Sequence, residues 1–332
     1  MAGIKALRKI QVGQESTAGT AVAASTIWRG EGTGADTREI VFPAEDVGIL
    51  GGLDRAYTPK LGAEITLEET PATFEQLPYI LAGGIKDVAG VQDGAGTDYI
   101  YTYPFATTAQ NTPQTYTIEY GDDQQAEEAE YCFVREFTLS GNAGEALMMS
   151  ATLEGRQCTT TTYTGALSIP TVEEILFSKG KLYIDPASTY PATTNKANTL
   201  LNMELSVTTG MQAVFTADGV VYFSFVKNVM PEIMLNITFE HDSTAVAEIA
   251  AFRAKTARSV ALTFEGTAPA TPGTTYSYKT LQVQLLGKWE SFEALGEQDG
   301  NDIVTGAMRC RYNGTAAALG SIICVNELSA LT

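Results

Sequence analysis

Histidine is nearly absent: His241 is the one copy in 332 residues. A Ser–His–Asp or Cys–His apparatus, or a histidine-based metal site, would have to rest on that single ring. It lies where a predicted strand meets a predicted helix, which reads as a surface position. Basic residues are scarce too, 21 against 39 acids, for a net charge of −18. Nucleic-acid affinity comes largely from Lys and Arg displacing counterions, so this balance argues against a protein that grips phosphate. It leaves room for DNA as a passenger, because an acidic wall repels phosphate. Acid excess also serves plain solubility. Cys132, Cys158, Cys310 and Cys324 form no C-x-x-C pair, which argues against a zinc ribbon or redox motif. They read as free thiols of a reducing cytoplasm. No apolar run approaches the ~18 residues of a membrane span, and residues 1–8 lack the apolar stretch of a signal peptide. Dinucleotide, phosphate-loop and nucleophile-elbow motifs are missing. The acids Asp122, Asp123, Glu127, Glu128 and Glu130 lack EF-hand spacing and are expected to form an exposed loop. No enzyme activity, cofactor or metal site is expected.

What is present is β-pattern. Thr, Val, Ile, Tyr and Phe alternate with polar residues over much of the chain, the signature of half-buried strands. Residues 136–140 and 146–153 flank Gly141-Asn142-Ala143-Gly144 as a predicted hairpin. A second hairpin is expected from 202–207 and 211–216 around Thr208-Thr209-Gly210. Further strands are expected near 115–120, 131–135, 181–184, 220–226, 233–240, 259–265, 279–287, 303–312 and 319–326. One helix is expected from an N-cap at Thr70 with Pro71 at its first position, kinked at Pro78 and ended by Gly83-Gly84. The other is expected from Asp242 or Ser243, with Ala245, Ile249 and Phe252 on one face and Lys255 and Arg258 near its end.

A short block occurs twice, at 63–68 and, 172 residues later, at 235–240, each followed by a helical pattern. The length suits two domains, so the expectation is a mainly β chain of two similar tandem domains, each with one flanking α-helix, divided as 1–164 and 165–332. In the repeat strands Ile65, Leu67, Ile237 and Phe239 face one side. Glu64, Thr66, Glu68, Asn236, Thr238 and Glu240 face the other. If the helix covers the apolar side, the polar side is wet: either a solvated sheet face or the wall of a pore. Residues 30–60 form a long Gly- and Pro-rich loop whose apolar residues Val41, Phe42, Val47, Ile49 and Leu50 suit a docking segment.

Three segments carry a resemblance. Gln11-Val12-Gly13-Gln14-Glu15-Ser16-Thr17-Ala18-Gly19-Thr20-Ala21-Val22-Ala23-Ala24 resembles the "GxExTxGTAxxA" opening of the tail tube (major tail) proteins of long-tailed bacteriophages. The strand at 62–69 with its following helix, and the closing stretch Ala317–Glu327, are similar to later elements of that family. The resemblance implies β-sandwich domains whose inner sheets close into a ring, with rings stacked into a helical tube. It implies a siphovirus-like virion component, assembled in the bacterial cytoplasm, with other copies of itself, a tape measure protein and other tail proteins as partners. DNA would pass as a non-specific passenger during ejection. Two domains per chain would make a trimer pseudo-sixfold. Glu64, Thr66, Glu68, Asn236, Thr238 and Glu240 would then face the lumen, and Val41, Phe42, Val47, Ile49 and Leu50 would serve ring stacking. Two other readings stay open: a different β-rich virion or secretion component such as a capsid decoration protein, and a carbohydrate-binding β-sandwich displaying Trp28, Trp289 and the Tyr99/Tyr101/Tyr103 alternation.

Overall fold

Alternation of apolar and polar side chains builds the principal sheet, and its consequences are visible in a computed structural model that describes residues 3–331. The first half runs β1 (Lys9–Gln14), β2 (Thr26–Ile27), β3 (Gly32–Asp36), β4 (Glu39–Val41), β5 (Tyr57–Lys60), β6 (Ala63–Pro71), α1 (Leu77–Gly84), β7 (Val91–Gln92), β8 (Tyr99–Pro104), β9 (Tyr116–Gly121), β10 (Ala126–Asn142), β11 (Met148–Gly155) and β12 (Gln157–Thr161). The second half runs β13 (Gly180–Pro186), β14 (Leu200–Thr208), β15 (Met211–Val214), β16 (Phe225–Asn228), β17 (Glu232–Glu240), α2 (Ser243–Arg253), β18 (Arg258–Glu265), β19 (Thr280–Phe292), β20 (Gly296–Gln298), β21 (Asn301–Cys310) and β22 (Gly320–Asn326). The chain is mainly β, with antiparallel ladders joining eighteen strands into one network and two small hairpins standing apart.

Eight strands lie side by side in the order β3-β6-β11-β10-β14-β17-β21-β19. The order within each half is the same, since β3-β6-β11-β10 is matched position for position by β14-β17-β21-β19. The seam between the halves is a seven-residue ladder from Glu136↔Thr208 to Asn142↔Asn202. Strands β10 and β19 are long enough to serve two layers. The front of β10 pairs with β9 and β12 in an outer sheet, and the front of β19 pairs with β18 and β22. Each strand carries a bulge against the strand that returns beside it, at Val134/Glu136 and at Trp289/Ser291. A bulge bends a strand and increases its twist, which is what passage between layers requires. Strand β8 of the first half joins the outer sheet of the second by pairing with β22.

The core lies between the layers and runs unbroken through both halves, including Ile65, Leu67, Phe137, Leu205, Leu235 and Phe239. Fully burying each such side chain contributes about 1.5–3 kcal/mol. The outer sheets, and not the helices alone, cover the apolar face of the long sheet, with α1 against β10, β8 and β22 and α2 against β19.

Several expectations are corrected. Thr70 and Pro71 are not a helix start; they extend β6 and pair with Met149 and Met148. Helix α1 begins at Leu77, and Pro78 sits in its first turn, where a missing N–H costs nothing. The end at Gly83-Gly84 stands. Strand β14 does not fold back on 211–216: it pairs with β10 and β17, and β15 pairs with β16. Residues 126–130 are strand, so only the turn at 122–125 matches the expected acidic loop. Helix α2 does start after Asp242, whose side chain accepts from Thr244 N at 2.8 Å and Ala245 N at 3.0 Å. It ends at Arg253, and Arg258 already belongs to β18. Its buried side chains are Ala245, Glu248 and Ala251, while Ile249 and Phe252 are partly buried.

Candidate functional site

The eight-stranded sheet turns one face away from the core. In β6, Ala63, Ile65 and Leu67 are buried, and Glu64, Thr66 and Glu68 point the other way. In β17, Ile233, Leu235, Ile237 and Phe239 are buried, and Asn236, Thr238 and Glu240 alternate with them. All six sequence-predicted face residues therefore share one side of one sheet, three in each half, separated by β11, β10 and β14. The ladder registers align them with further polar side chains: one row runs Thr33, Thr66, Thr152, Glu136, Thr208, Glu232. Ser140 lies opposite Glu204, and Glu204 opposite Asn236.

Acids outnumber bases on this face. Glu64, Glu68, Glu69, Glu136, Glu154, Glu204, Glu232, Glu240 and Glu290 meet Arg135, Lys288 and Arg309. Arg135 Nη2 is 3.7 Å from both Glu64 and Glu136. Arg309 pairs with Glu290 at 2.8 Å and also with Glu232. Glu64 and Glu154 stand directly opposite one another. Burial pushes the Glu154 carboxyl up; Arg135 and Lys60 oppose the rise, and the Glu64 charge adds to it. Hydroxyl and amide contacts fill the remaining rows, with Thr238 Oγ1 3.0 Å from Thr305 Oγ1 and the Asn202 amide donating to Asn142. The face carries no aromatic ring. A groove that binds single-stranded nucleic acid combines a net positive charge with stacking rings, whereas acids predominate on this surface and among the described residues it shows no ring.

The loop between β3 and β6 forms a projecting arm built on the β4–β5 ladder. Val41 is half-buried opposite Tyr57, and Phe42, Val47, Ile49 and Leu50 are exposed, Phe42 by 71%. A second arm, β15–β16, occupies the corresponding place between β14 and β17. It is docked: Met211 and Phe223 are buried against Tyr131 and Phe133 of the first half.

Among the buried carboxylates, Glu15 and Glu248 had no sequence signature of burial. Glu15, inside the opening motif, accepts from Gly19 N at 2.7 Å, Thr115 Oγ1 at 2.7 Å, Thr117 Oγ1 at 3.0 Å and Tyr131 N at 2.8 Å. Gly19 has φ +77°, and a Cβ there would strike the Arg156 guanidinium at 2.4 Å, so the motif's glycine is required twice over. Glu248 of α2 accepts from Arg258 Nε and Trp289 Nε1, both at 2.8 Å. Trp28, Trp289, Tyr101 and Tyr103 are buried in the core, and Tyr99 is half-buried against it. His241 sits at the junction of β17 and α2, its N–H bonded to Asp302 O. The four cysteines are unpaired, and among the described residues no helix is long and apolar enough to cross a membrane. No family model matches this chain, and no curated protein matches it either.

Proposed function

We propose that this protein is a virion structural component, a tail tube subunit whose copies close into a ring with the polar sheet face turned inward. One observation carries the reading: the long sheet consists of two four-stranded units in the same order, joined by the β10–β14 ladder. Its outermost strands have free sides. Among the described residues β3 pairs only with β6, and residues 288–292 of β19 pair only with β21. Strand β3 corresponds to β14, and β19 corresponds to β10. The internal seam is therefore a template for a ladder between β19 of one copy and β3 of the next. The two halves, 1–164 and 165–332, then act as tandem lobes. Three copies of an eight-stranded sheet would close a barrel of about twenty-four strands, wide enough for an open channel.

Closure also removes exposed strand edges, which otherwise invite uncontrolled pairing. A heterologous contact that closes by rotation makes a ring, and rings stacked head to tail make a tube. The Glu-, Thr-, Ser- and Asn-lined face would form a wet, acidic lumen that repels DNA phosphate and lets it slide. Glu64, Thr66, Glu68, Asn236, Thr238 and Glu240 belong to that lumen, and the tip of the first arm, Val47 to Leu50, is the ring-stacking element. Tape measure and other tail proteins would be its partners. Electron microscopy of the purified protein tests the proposal. Rings or tubes with a central hole are the expected result; a species that stays monomeric at high concentration sinks it.

A further inference from the structure

The docked second arm shows how this chain binds an arm. Arg156, the residue directly after β11, is its clamp. Its guanidinium lies 4.5 Å from the Tyr131 ring centroid and 4.8 Å from that of Tyr222. Nε donates to Phe223 O and Nη2 to Ser224 O, both at 3.2 Å. The approach to β6 completes the joint: Leu61 N donates to Val221 O at 2.8 Å, and Lys60 Nζ stands 4.6 Å from the Phe215 ring.

The pairing order and the two bulges give each of these residues a counterpart in the second half. Arg311 directly follows β21 as Arg156 directly follows β11. Both use their backbone N–H in the same way, Arg156 to Glu130 O at 2.8 Å and Arg311 to Leu286 O at 2.9 Å, on the two layer-crossing strands. Met230 and Pro231 precede β17 as Lys60 and Leu61 precede β6. In the first half this site is covered. In the second half it is bare: Met230 is 75% exposed, Tyr312 is 52% exposed, and the exposed Arg311 side chain has no hydrogen-bond or ion-pair partner among the described residues. The first arm is bare as well, with Phe42 and Tyr57 exposed at its base.

We infer that the base of the first arm docks on the Arg311–Met230 site of a neighbouring copy, repeating between chains the joint that Arg156 makes within one. Phe42 and Tyr57 would supply the kind of ring face that Tyr222 of the docked arm supplies to Arg156. Asp46 and Asp54 on the arm complement the charges of Arg311 and Lys288. Each copy thus carries one arm to give and one site to receive, which is a head-to-tail contact. The inference deepens the ring reading and rests on it. It also divides the arm's labour, with the base binding sideways and the tip left for axial contacts.

Complementation between two full-length variants tests it. Arg311→Glu keeps the arm and spoils the site; Phe42→Asp keeps the site and spoils the arm. Each alone should self-associate at least about tenfold more weakly than wild type in sedimentation velocity, as loss of an interface anchor does. Their circular dichroism should be unchanged, since both side chains are exposed and neither has a hydrogen-bond or ion-pair partner among the described residues. Mixed, they should form a one-to-one dimer and nothing larger. Rings that Arg311→Glu builds as readily as wild type, or a mixture that yields no dimer, would overturn this inference while leaving the ring reading intact. Wild-type protein that never self-associates would remove both.

Discussion

The carboxylate of Glu15 accepts the backbone N–H of Tyr131 at 2.8 Å across 116 residues of chain. Tyr131 has φ +54°, a left-handed conformation that a tyrosine seldom adopts. It lies where β10 leaves the outer sheet for the inner one. Glu15 therefore holds the layer crossing in place, together with Thr115 and Thr117. Replacing it with Ala leaves several buried donors without a partner and should lower unfolding stability by about 2–4 kcal/mol in urea titration. Glu15→Gln keeps the shape and should cost less, because an amide still accepts through one oxygen.

Glu248 holds the second helix to its sheet through a buried ion pair with Arg258 and a bond from Trp289. Removing one member of a buried pair strands the other charge. Glu248→Ala should cost about 3–5 kcal/mol, measured by thermal or chemical denaturation. The expected order is Glu248→Ala far below wild type and Glu265→Ala close to it, because Glu265 pairs with Lys181 at the exposed surface.

Reversing charge on the polar face tests the proposed lumen apart from the fold. Glu64→Lys combined with Glu240→Lys changes exposed or half-exposed side chains and should move stability by no more than about 1 kcal/mol. Assembled tubes of this variant should retain double-stranded DNA at low salt and release it as salt rises. Wild-type tubes should show no such retention in the same co-sedimentation assay.

The arm tip can be tested apart from its base. Ile49→Asp with Leu50→Asp places charges on an exposed apolar tip. Rings should still form, and their stacking into tubes should fail in negative-stain images. Loss of the rings themselves would assign the tip to sideways contacts.

Asp93 predicts a pH dependence with a definite sign. Its carboxylate receives Thr274 Oγ1 at 3.0 Å, Thr275 N at 2.8 Å and Tyr276 N at 2.7 Å, tying the turn before β8 to the loop before β19. Burial acts to raise this carboxyl, but the donors outweigh it and hold it at about 2, below the ordinary 3.8. A lowered carboxylate contributes stability that is present above the unfolded value and lost as pH falls through the folded one. The gap in melting temperature between wild type and Asp93→Asn should therefore be constant above about pH 5 and narrow progressively as pH falls toward about 2 and below.

Much of the sheet could be read from the sequence because its signal is local. Ile65 and Leu67, like Ile237 and Phe239, alternate with polar residues, and period two fixes which side chain goes in. The polar face followed directly. The turn at Gly210 was misread because a glycine between two strand-like runs closes a hairpin when nothing else competes. Here β10 and β17 claim β14 from either side, and Met211 finds Tyr131 and Phe133. Thr70-Pro71 carries a true capping pattern, yet the ladder to Met148 and Met149 is worth more than a cap. Aligned on the bulges, Leu153 corresponds to Met308 and Ile65 to Leu235, two residues from the match that the repeated block suggests. A slip of two keeps every side chain on its own face, so the error left the polar surface intact. Glu15 and Glu248 were invisible because their partners come from remote chain.

The ladder between Glu136–Asn142 and Asn202–Thr208 has a kinetic corollary. Lobes tethered by one polypeptide meet at a high effective concentration, so every second junction of a ring would exist before any two molecules collide. A threefold ring would need only two bimolecular encounters before it closes on itself where six separate lobes would need five, and partial arcs would be correspondingly fewer. The same tether would free the outward surfaces of the two lobes to diverge, so that the exterior of such a ring would have a lower symmetry than its channel.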